Sequence, residues 1–549
     1  MRYLAIISFL VYPFFMSFNT EKDVVPNTVM LADPSLPTIE LLTLKAFPTA
    51  HGFGRNATGG RGGSVYKVTN TNSTGAGSFR QGYDVETGAR TIIFEVSGNI
   101  PYDGIMFAPN DNVTIAGQTA PGQGVAIYAE DNPGGISAEM NHAIYRHIRF
   151  RGSNGARSNL RIYAASKNIS NIIVDHCSFS WAANGGDEMN VEVSGFGSYT
   201  ATNVTLQYSI NGNANKPFLI YKNGYQVSAL RNWMGLSNAR GIRSNYPDDI
   251  SSTVLTFEES NNILHGWSGG SPIAPSLGTK FTAFNNLYTA SGSITPTYHD
   301  EIIWGESDGT GTTSNTYAAI AGNINEYSPG DIYGNISGTY VHATAYVSTD
   351  YTGDHLLAAA DLETDLVDYL GARWYDGRDS QDALNLSQFG SRTGTVAITG
   401  TKPTLTGGTY PTDTDNDGMS DAFEDLHGLD KNDATDRNDT KLNWVFTGLA
   451  NVTNTAGYTN LEMYLNFLAQ DFDMMIDGIE MPDSSWTLTA AVGSPTCSDG
   501  IQNGDETGVD CGGSCDPCEA PATSITPTIF RIGSTISPFF YLGATKYHL

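Results

Sequence analysis

The stretch 261–287, NNILHGWSGGSPIAPSLGTKFTAFNNL, opens on Asn261-Asn262-Ile263 and closes on Asn285-Asn286-Leu287. One Asn-Asn-aliphatic phrase thus returns after 24 residues, a length that suits one coil of a parallel solenoid. The second phrase follows a short β-type run, Lys280–Phe284, and related runs stand at Thr91–Val96, Asn112–Ile115, Asn171–Val174 and Asn203–Leu206. Asparagine recurs beside an aliphatic residue at Asn323-Ile324 and Asn335-Ile336. Asparagines stacked at one turn can hydrogen-bond to their equivalents a coil above and below, although asparagine also forms turns on its own account. Together these runs predict an all-β chain with a right-handed parallel β-helix over residues 45–345.

Composition points the same way. Sixty glycines and only 16% charged residues in 549 argue against a helical protein. The length allows one large domain with smaller appendages. Fifty-seven acidic against 29 basic residues give a net charge of −28. Such a surface repels nucleic acid and anionic lipid. It would repel a polyanionic ligand too, unless basic side chains or a bound metal reverse the sign locally.

The chain begins Met1-Arg2-Tyr3, runs apolar from Leu4 to Phe18 and turns polar at Asn19. This predicts a secretory signal over residues 1–20, too short for a membrane span. A secreted, extracellular monomer with no membrane span is expected. Cys177 reads as a small buried hydrophobe. Cys497, Cys511, Cys515 and Cys518 crowd into 22 residues, which in an exported chain predicts a disulfide-stapled module at 495–520, with a zinc site as the alternative. Residues 346–410, with a helix-compatible stretch at Leu356–Leu370, are expected to cap the solenoid and lead into a linker. Residues 521–549 receive no assignment.

The run 413–424, DTDNDGMSDAFE, fits a calcium loop. Asp413, Asp415, Asp417, Asp421 and Glu424 occupy positions 1, 3, 5, 9 and 12, with Gly418 at position 6. A hard cation wants six to eight oxygens, the glycine permits the sharp turn, and the last glutamate offers two oxygens at once. This predicts a calcium-binding EF-hand-like segment at 411–470, resembling dockerin-like or thrombospondin-type-3-like repeats, with a structural role. Asp430, Asp433, Asp436 and Asp439 follow it.

A colinear series of phrases from His51 to about Tyr298 resembles the pectate lyase family, including its pectate-trisaccharide-lyase-like branch. The phrases are Gly52-Phe53-Gly54-Arg55, continuing to Gly63; Arg90-Thr91-Ile92-Ile93-Phe94; Thr114-Ile115-Ala116-Gly117-Gln118; Arg146-His147-Ile148-Arg149-Phe150-Arg151; and Asp175-His176-Cys177-Ser178-Phe179-Ser180-Trp181. The early glycines lie among strands and turns with no helix to receive a phosphate, which excludes a nucleotide loop. The resemblance implies calcium-assisted β-elimination on pectate or polygalacturonate-like acidic polysaccharide. Residue by residue it implies Asp187 and Glu188 as calcium ligands, Lys216 and Arg243 as substrate-binding groups, and Arg240 as the base. An arginine base follows from the resemblance alone, because a guanidinium ordinarily stays protonated. The chain departs from the family at Ile242, where a proline is expected, and at Ser158 and Asn213, where acids are expected.

His147 and His176 are expected to be packed rather than catalytic. The pairs Asp248-Asp249 and Glu258-Glu259 invite a glycoside hydrolase reading, but adjacent residues of a strand face opposite ways. Two alternatives stand beside the lyase: a catalytically weakened β-helix that binds acidic glycans, and a β-helix glycoside hydrolase.

Overall fold

The computed structural model describes residues 38–40, 43–102, 106–129, 135–152, 158–182, 189–244, 255–270, 272–275, 279–294, 316–327, 340–342, 351, 355–374, 377–446 and 451–470. It also describes the short strands at 474–476, 479–481, 486–490, 539–542 and 545–548. The signal segment, the cysteine module, Asp187, Glu188, Asp248, Asp249 and Asn335 lie outside the described residues.

Three all-parallel sheets wind into a β-helix. Sheet I has 11 strands, from Ser64–Val68 to Tyr340–His342. Sheet II has nine, from Gly98–Tyr102 to Ile324–Asn325, and sheet III has seven, from Met106–Ala108 to Ile273–Ala274. Through the middle of the chain successive strands visit the sheets in turn, so a full coil contributes one strand to each face, while the first and last coils lack strands of sheet II or III among the described residues. Every second side chain points inward, and one apolar cluster fills the coil from Val68 to Ile320. Within it like stacks on like: Phe150 on Phe179 at 5.0 Å and Phe257 on Phe281 at 5.2 Å. Cys177 is a buried free thiol in this cluster.

The Asn-Asn phrases build the corner between sheets I and II, with a separate task for each asparagine. The first takes the left-handed conformation, at φ 56° for Asn261 and 52° for Asn285, which asparagine tolerates better than most residues. The second forms the ladder. Asn232 Oδ1 accepts from Ser209 N–H (2.9 Å), Asn262 Oδ1 from Asn232 N–H (3.0 Å), Asn286 Oδ1 from Asn262 N–H (2.8 Å), and Asn323 Oδ1 from Asn286 N–H (2.8 Å). In earlier coils the left-handed place falls to His147, His176 and Tyr208. Their rings stack at 5.0 and 4.7 Å.

The glycine-rich segment 52–63 lies across the outer face of sheet I. A Cβ on Gly54 would come within 2.2 Å of the Ile172 carbonyl oxygen, and one on Gly60 within 2.1 Å of that of Arg90. Their amides donate to Thr205 Oγ1 (2.8 Å) and Thr114 Oγ1 (2.9 Å) of the sheet. Those glycines serve backbone-on-sheet packing.

Residues 346–410 were expected to cap the solenoid and lead into a linker; of these, 355–374 and 377–408 run along its side. The outer face of sheet II is apolar, and Leu362, Leu366, Leu370, Leu386 and Phe389 cover Tyr208, Ile210, Trp233, Leu236 and Ile263. The helix Ser380–Gly390 is N-capped by Asp379. Asp379 and Asp382 clasp the fully buried Arg151 at 2.7 and 2.9 Å. The chain then returns towards the first coils: Asn99 Nδ2 donates to Pro403 O (2.9 Å) and Gln123 N–H to Thr406 O (2.9 Å). It delivers residue 413 beside the first strands of sheet I.

Candidate functional site

The registers of sheet III decide which side chains share its outer face. Ile136, Leu160, Val191, Phe218, Ile242 and Ile273 form one cross-strand row, and all six belong to the core. The next row along, Ser137, Arg161, Glu192, Leu219, Arg243 and Ala274, must therefore face outward.

Lys216 opens the strand Lys216–Tyr221 and pairs in register with Met189. Phe218 pairs with Ile242, so continuing that register two residues back sets Arg240 level with Lys216 on the next coil. Arg243 stands opposite Leu219. Lys216 and Arg240 are thus level on adjacent coils at the start of their strands, in step with Phe218 and Ile242, whereas Arg243, on the same coil as Arg240, lies in the outward row. Lys216 is buried; Arg240 and Arg243 are half-buried. Asp187 and Glu188 immediately precede Met189 in the chain. Beneath this end of the sheet runs a buried amide network. Asn159 Nδ2 donates to Asn190 Oδ1, Asn190 Nδ2 to Asn211 Oδ1, and Asn211 Nδ2 to Pro217 O, each at 2.9 Å. It pins the backbone next to Lys216. Asn213 sits at φ 54° in the turn before that strand and accepts from Gln381 Nε2 at 3.1 Å.

Two residues of this face were missed in the sequence. Glu192 is fully buried, accepts from Ser194 Oγ (2.6 Å) and Ser158 Oγ (3.4 Å), and faces Arg161 Nε at 3.0 Å. Arg161 in turn lies over the Tyr163 ring, 3.4 Å from its centroid. A buried carboxylate with a stacked guanidinium is a preorganised charge pair. The signal was available as an Arg-x-Tyr strand and a Glu-x-Ser strand, each with period-2 alternation, but only the register joins them.

A second polar cluster sits at the sheet I–sheet II corner. Asp175 is fully buried between Arg146 Nε (2.6 Å), Gln207 Nε2 (2.8 Å) and His176 Nδ1 (3.0 Å). Burial pushes its carboxyl up, but the His176 and Arg146 charges prevail and hold it well below the usual carboxylate range. Burial, with the neighbouring His176 and Arg146 charges, keeps His147 far below the ordinary histidine value, hence neutral. This is a packed corner.

The carboxylates of 413–436 make a third cluster. Ligand atoms of Asp413, Asp415 and Asp417 lie within 4.8 Å of one another, as do those of Asp417, Glu424 and Asp436. Asp421 stands apart and accepts from Thr414 N–H and Oγ1, both at 2.7 Å, stapling the loop. Asp436, outside the 12-residue pattern, closes the group in its stead. Burial and then mutual repulsion push Asp417 up to about 7 and Glu424 up to about 8. Asp415 Oδ2, Asp417 Oδ2, both Glu424 oxygens and Asp436 Oδ1 are buried without a hydrogen-bond donor. Buried acceptors left bare are expensive, and a hard cation with several oxygen ligands fits them.

The fold is a parallel β-helix whose sheet III carries Arg161, Glu192 and Arg243 in one outward row. The relatives make this specific. Over 440 residues the chain is 30% identical to "Probable pectate lyase C" of Aspergillus fumigatus, covering 77% of this chain and 94% of the relative. The proteins of the same description from Emericella nidulans and Aspergillus oryzae are also 30% identical, again with 94% of the relative covered. The chain belongs to the pectate lyase family and is a polysaccharide lyase. No family model matches. Among solved structures, Jun a 1, the major allergen from cedar pollen, is 17% identical, with a TM-score of 0.41 over 59% of this chain and 92% of that one. The pectate lyase from Acidovorax avenae subsp citrulli is 12% identical, with a TM-score of 0.42 over 63% of this chain and 98% of that one. The family assignment rests on the sequence relatives. Among the described residues no helix is long and apolar enough to cross a membrane.

Proposed function

We propose that the start of the sheet III strands around Lys216, Arg240 and Arg243 forms a site that cleaves polygalacturonate-like acidic polysaccharide by β-elimination. The observation that carries this reading is the register that sets Arg240 level with Lys216 of the preceding coil, with Arg243 three residues further along the same coil. Lys216 and Arg243 hold uronate carboxylates, while Arg240 takes the proton from C5. The C5–H electrons become the C4–C5 double bond, the C4–O bond breaks, and the departing glycosidic oxygen picks up a proton from water. When bound by Asp187 and Glu188, calcium supplies positive charge beside the substrate carboxylate, which makes the C5 proton more acidic. A chain of net charge −28 would otherwise repel this substrate. A second, structural calcium belongs to Asp413, Asp415, Asp417 and Glu424, with Asp421 bracing the loop.

The N-terminal apolar run supports export as an extracellular monomer, where the four clustered cysteines would pair as disulfides. The test is an absorbance assay for unsaturated uronate on polygalacturonate with calcium. Product should form, and both chelator and Arg240→Ala should abolish it. New reducing ends without unsaturation, or full activity in Arg240→Ala, would overturn the mechanism.

A further inference from the structure

The calcium loop does not hang free of the β-helix. Gly418, at φ 99°, sets the apex of the loop on the first two strands of sheet I: a Cβ there would lie 3.3 to 3.5 Å from Val65 and Ile93. Met419 and Phe423 are buried in one cluster with Ile93 and Ala116 of the β-helix and with Tyr464 of the C-terminal segment. Lys67, on the strand Ser64–Val68, reaches into the loop. Its Nζ lies 2.8 Å from Asp413 Oδ2, 2.9 Å from Asn416 Oδ1 and 3.1 Å from Glu95 Oε1. Nearby, Arg61 Nε meets Glu462 Oε1 at 2.7 Å, and that glutamate closes the capping box of the helix Asn460–Ala469.

The order of these contacts along the chain matters. Gly418, Met419 and Phe423, which touch the β-helix, lie between Asp417 and Glu424, whose oxygens converge with that of Asp436. Glu424 is fully buried, Asp417 and Asp436 nearly so, and each has oxygens with no donor. An ion on those oxygens would fix the backbone that carries the docking residues. Without it, those buried oxygens are left unsatisfied, which weakens the hold on the same backbone.

We propose that calcium held by Asp413, Asp415, Asp417, Glu424 and Asp436 latches the C-terminal segment onto the first coil of the β-helix, so that its occupancy stabilises the catalytic domain itself. The proposal rests on the calcium reading of this loop and adds Asp436 as the closing ligand and sheet I as what is held.

The test uses the full chain, stripped with chelator and without polysaccharide, so it is independent of the lyase mechanism. Calcium is titrated calorimetrically, and amide exchange is followed in residues 64–68 and 90–94. Calcium should slow exchange in those strands by tenfold or more and raise the unfolding temperature by about 5–10 °C. Asp417→Asn with Glu424→Gln, or Asp436→Asn alone, should remove or weaken the binding heat and this protection together. Lys67→Met leaves all five carboxylates in place, so calcium should still bind while protection of 64–68 falls. Calcium that binds and protects only 413–436, or protection unchanged in Lys67→Met, refutes the latch while sparing the ion site. Binding heat unchanged in the double variant refutes the ion site as well.

Discussion

Glu259 offers a test of the interior of the coil. It shares the inward face of the strand Thr256–Ser260 with Phe257 and is fully buried. Tyr288 OH donates to its Oε1 at 2.8 Å and Asn286 Nδ2 approaches at 3.4 Å, while Oε2 has no partner. Neither partner carries charge. Burial pushes the carboxyl from 4.5 to about 8, against a smaller opposing effect of the Tyr288 hydrogen bond. The folded state therefore binds this proton more tightly than the unfolded chain, and its contribution is fully present below pH 4.5. Stability must fall as pH rises from there to about 8, and then level off. At 1.36 kcal/mol per unit, the penalty is about 3 kcal/mol at pH 7 and between about 4 and 5 kcal/mol above pH 8. Glu259→Gln removes the titration but adds amide hydrogens that need acceptors, at about 1–2 kcal/mol. The variant should therefore be slightly less stable than the parent at pH 4.5 and more stable, by about 2–3 kcal/mol, at pH 8. Urea unfolding of both proteins across pH 4.5–9 in saturating calcium measures the difference, and distant titrating groups cancel. A constant offset between the two proteins would show that the carboxylate is ionised in the fold, and the reasoning would fail.

Two further outcomes follow from the ladder and the outward row. Asn262→Ala leaves the Asn232 N–H and side-chain amide without their acceptor and the Ala229 carbonyl without its side-chain donor; thermal unfolding should register a loss of about 2–5 kcal/mol. Arg161→Ala should raise KM for polygalacturonate by about tenfold or more, since Glu192 then keeps only the Ser194 and Ser158 hydroxyls and faces an anionic substrate without its guanidinium. Arg161→Lys should recover part of that loss. Equal KM in all three proteins would remove Arg161 from the binding face.

The β-helix was legible because its code is local and repeated. Asn261-Asn262 and Asn285-Asn286 each declare a left-handed residue and a ladder rung in adjacent letters. The same corner is spelled His176-Cys177 and Tyr208-Ser209 lower down, where ring stacking replaces the asparagine. No single motif covers both spellings. The side-on course of residues 355–408 was not legible, because an amphipathic stretch declares an apolar face and not what covers it. The same holds for Asp436: a 12-residue pattern ends at Glu424, while the fifth carboxylate comes from beyond the helix Asp421–His427.

The acids of the candidate site raise the subtler case. Read by motif position, Ser158 is a lost carboxylate. In space the hydroxyl of Ser158 donates to Glu192, so a carboxylate does stand beside it, contributed by the next coil. A solenoid makes such exchange easy. Neighbouring strands lie about 4.8 Å apart, and a glutamate side chain bridges that distance, so a charge can move from one coil to the next while staying in the same groove. The pairing has a consequence for the sign of the site. Glu192 is opposed by Arg161, so the outward row is not made more acidic by it. Charge balance along this row is therefore set across coils by register, and reading the acids one motif at a time misses the Arg161–Glu192 pair.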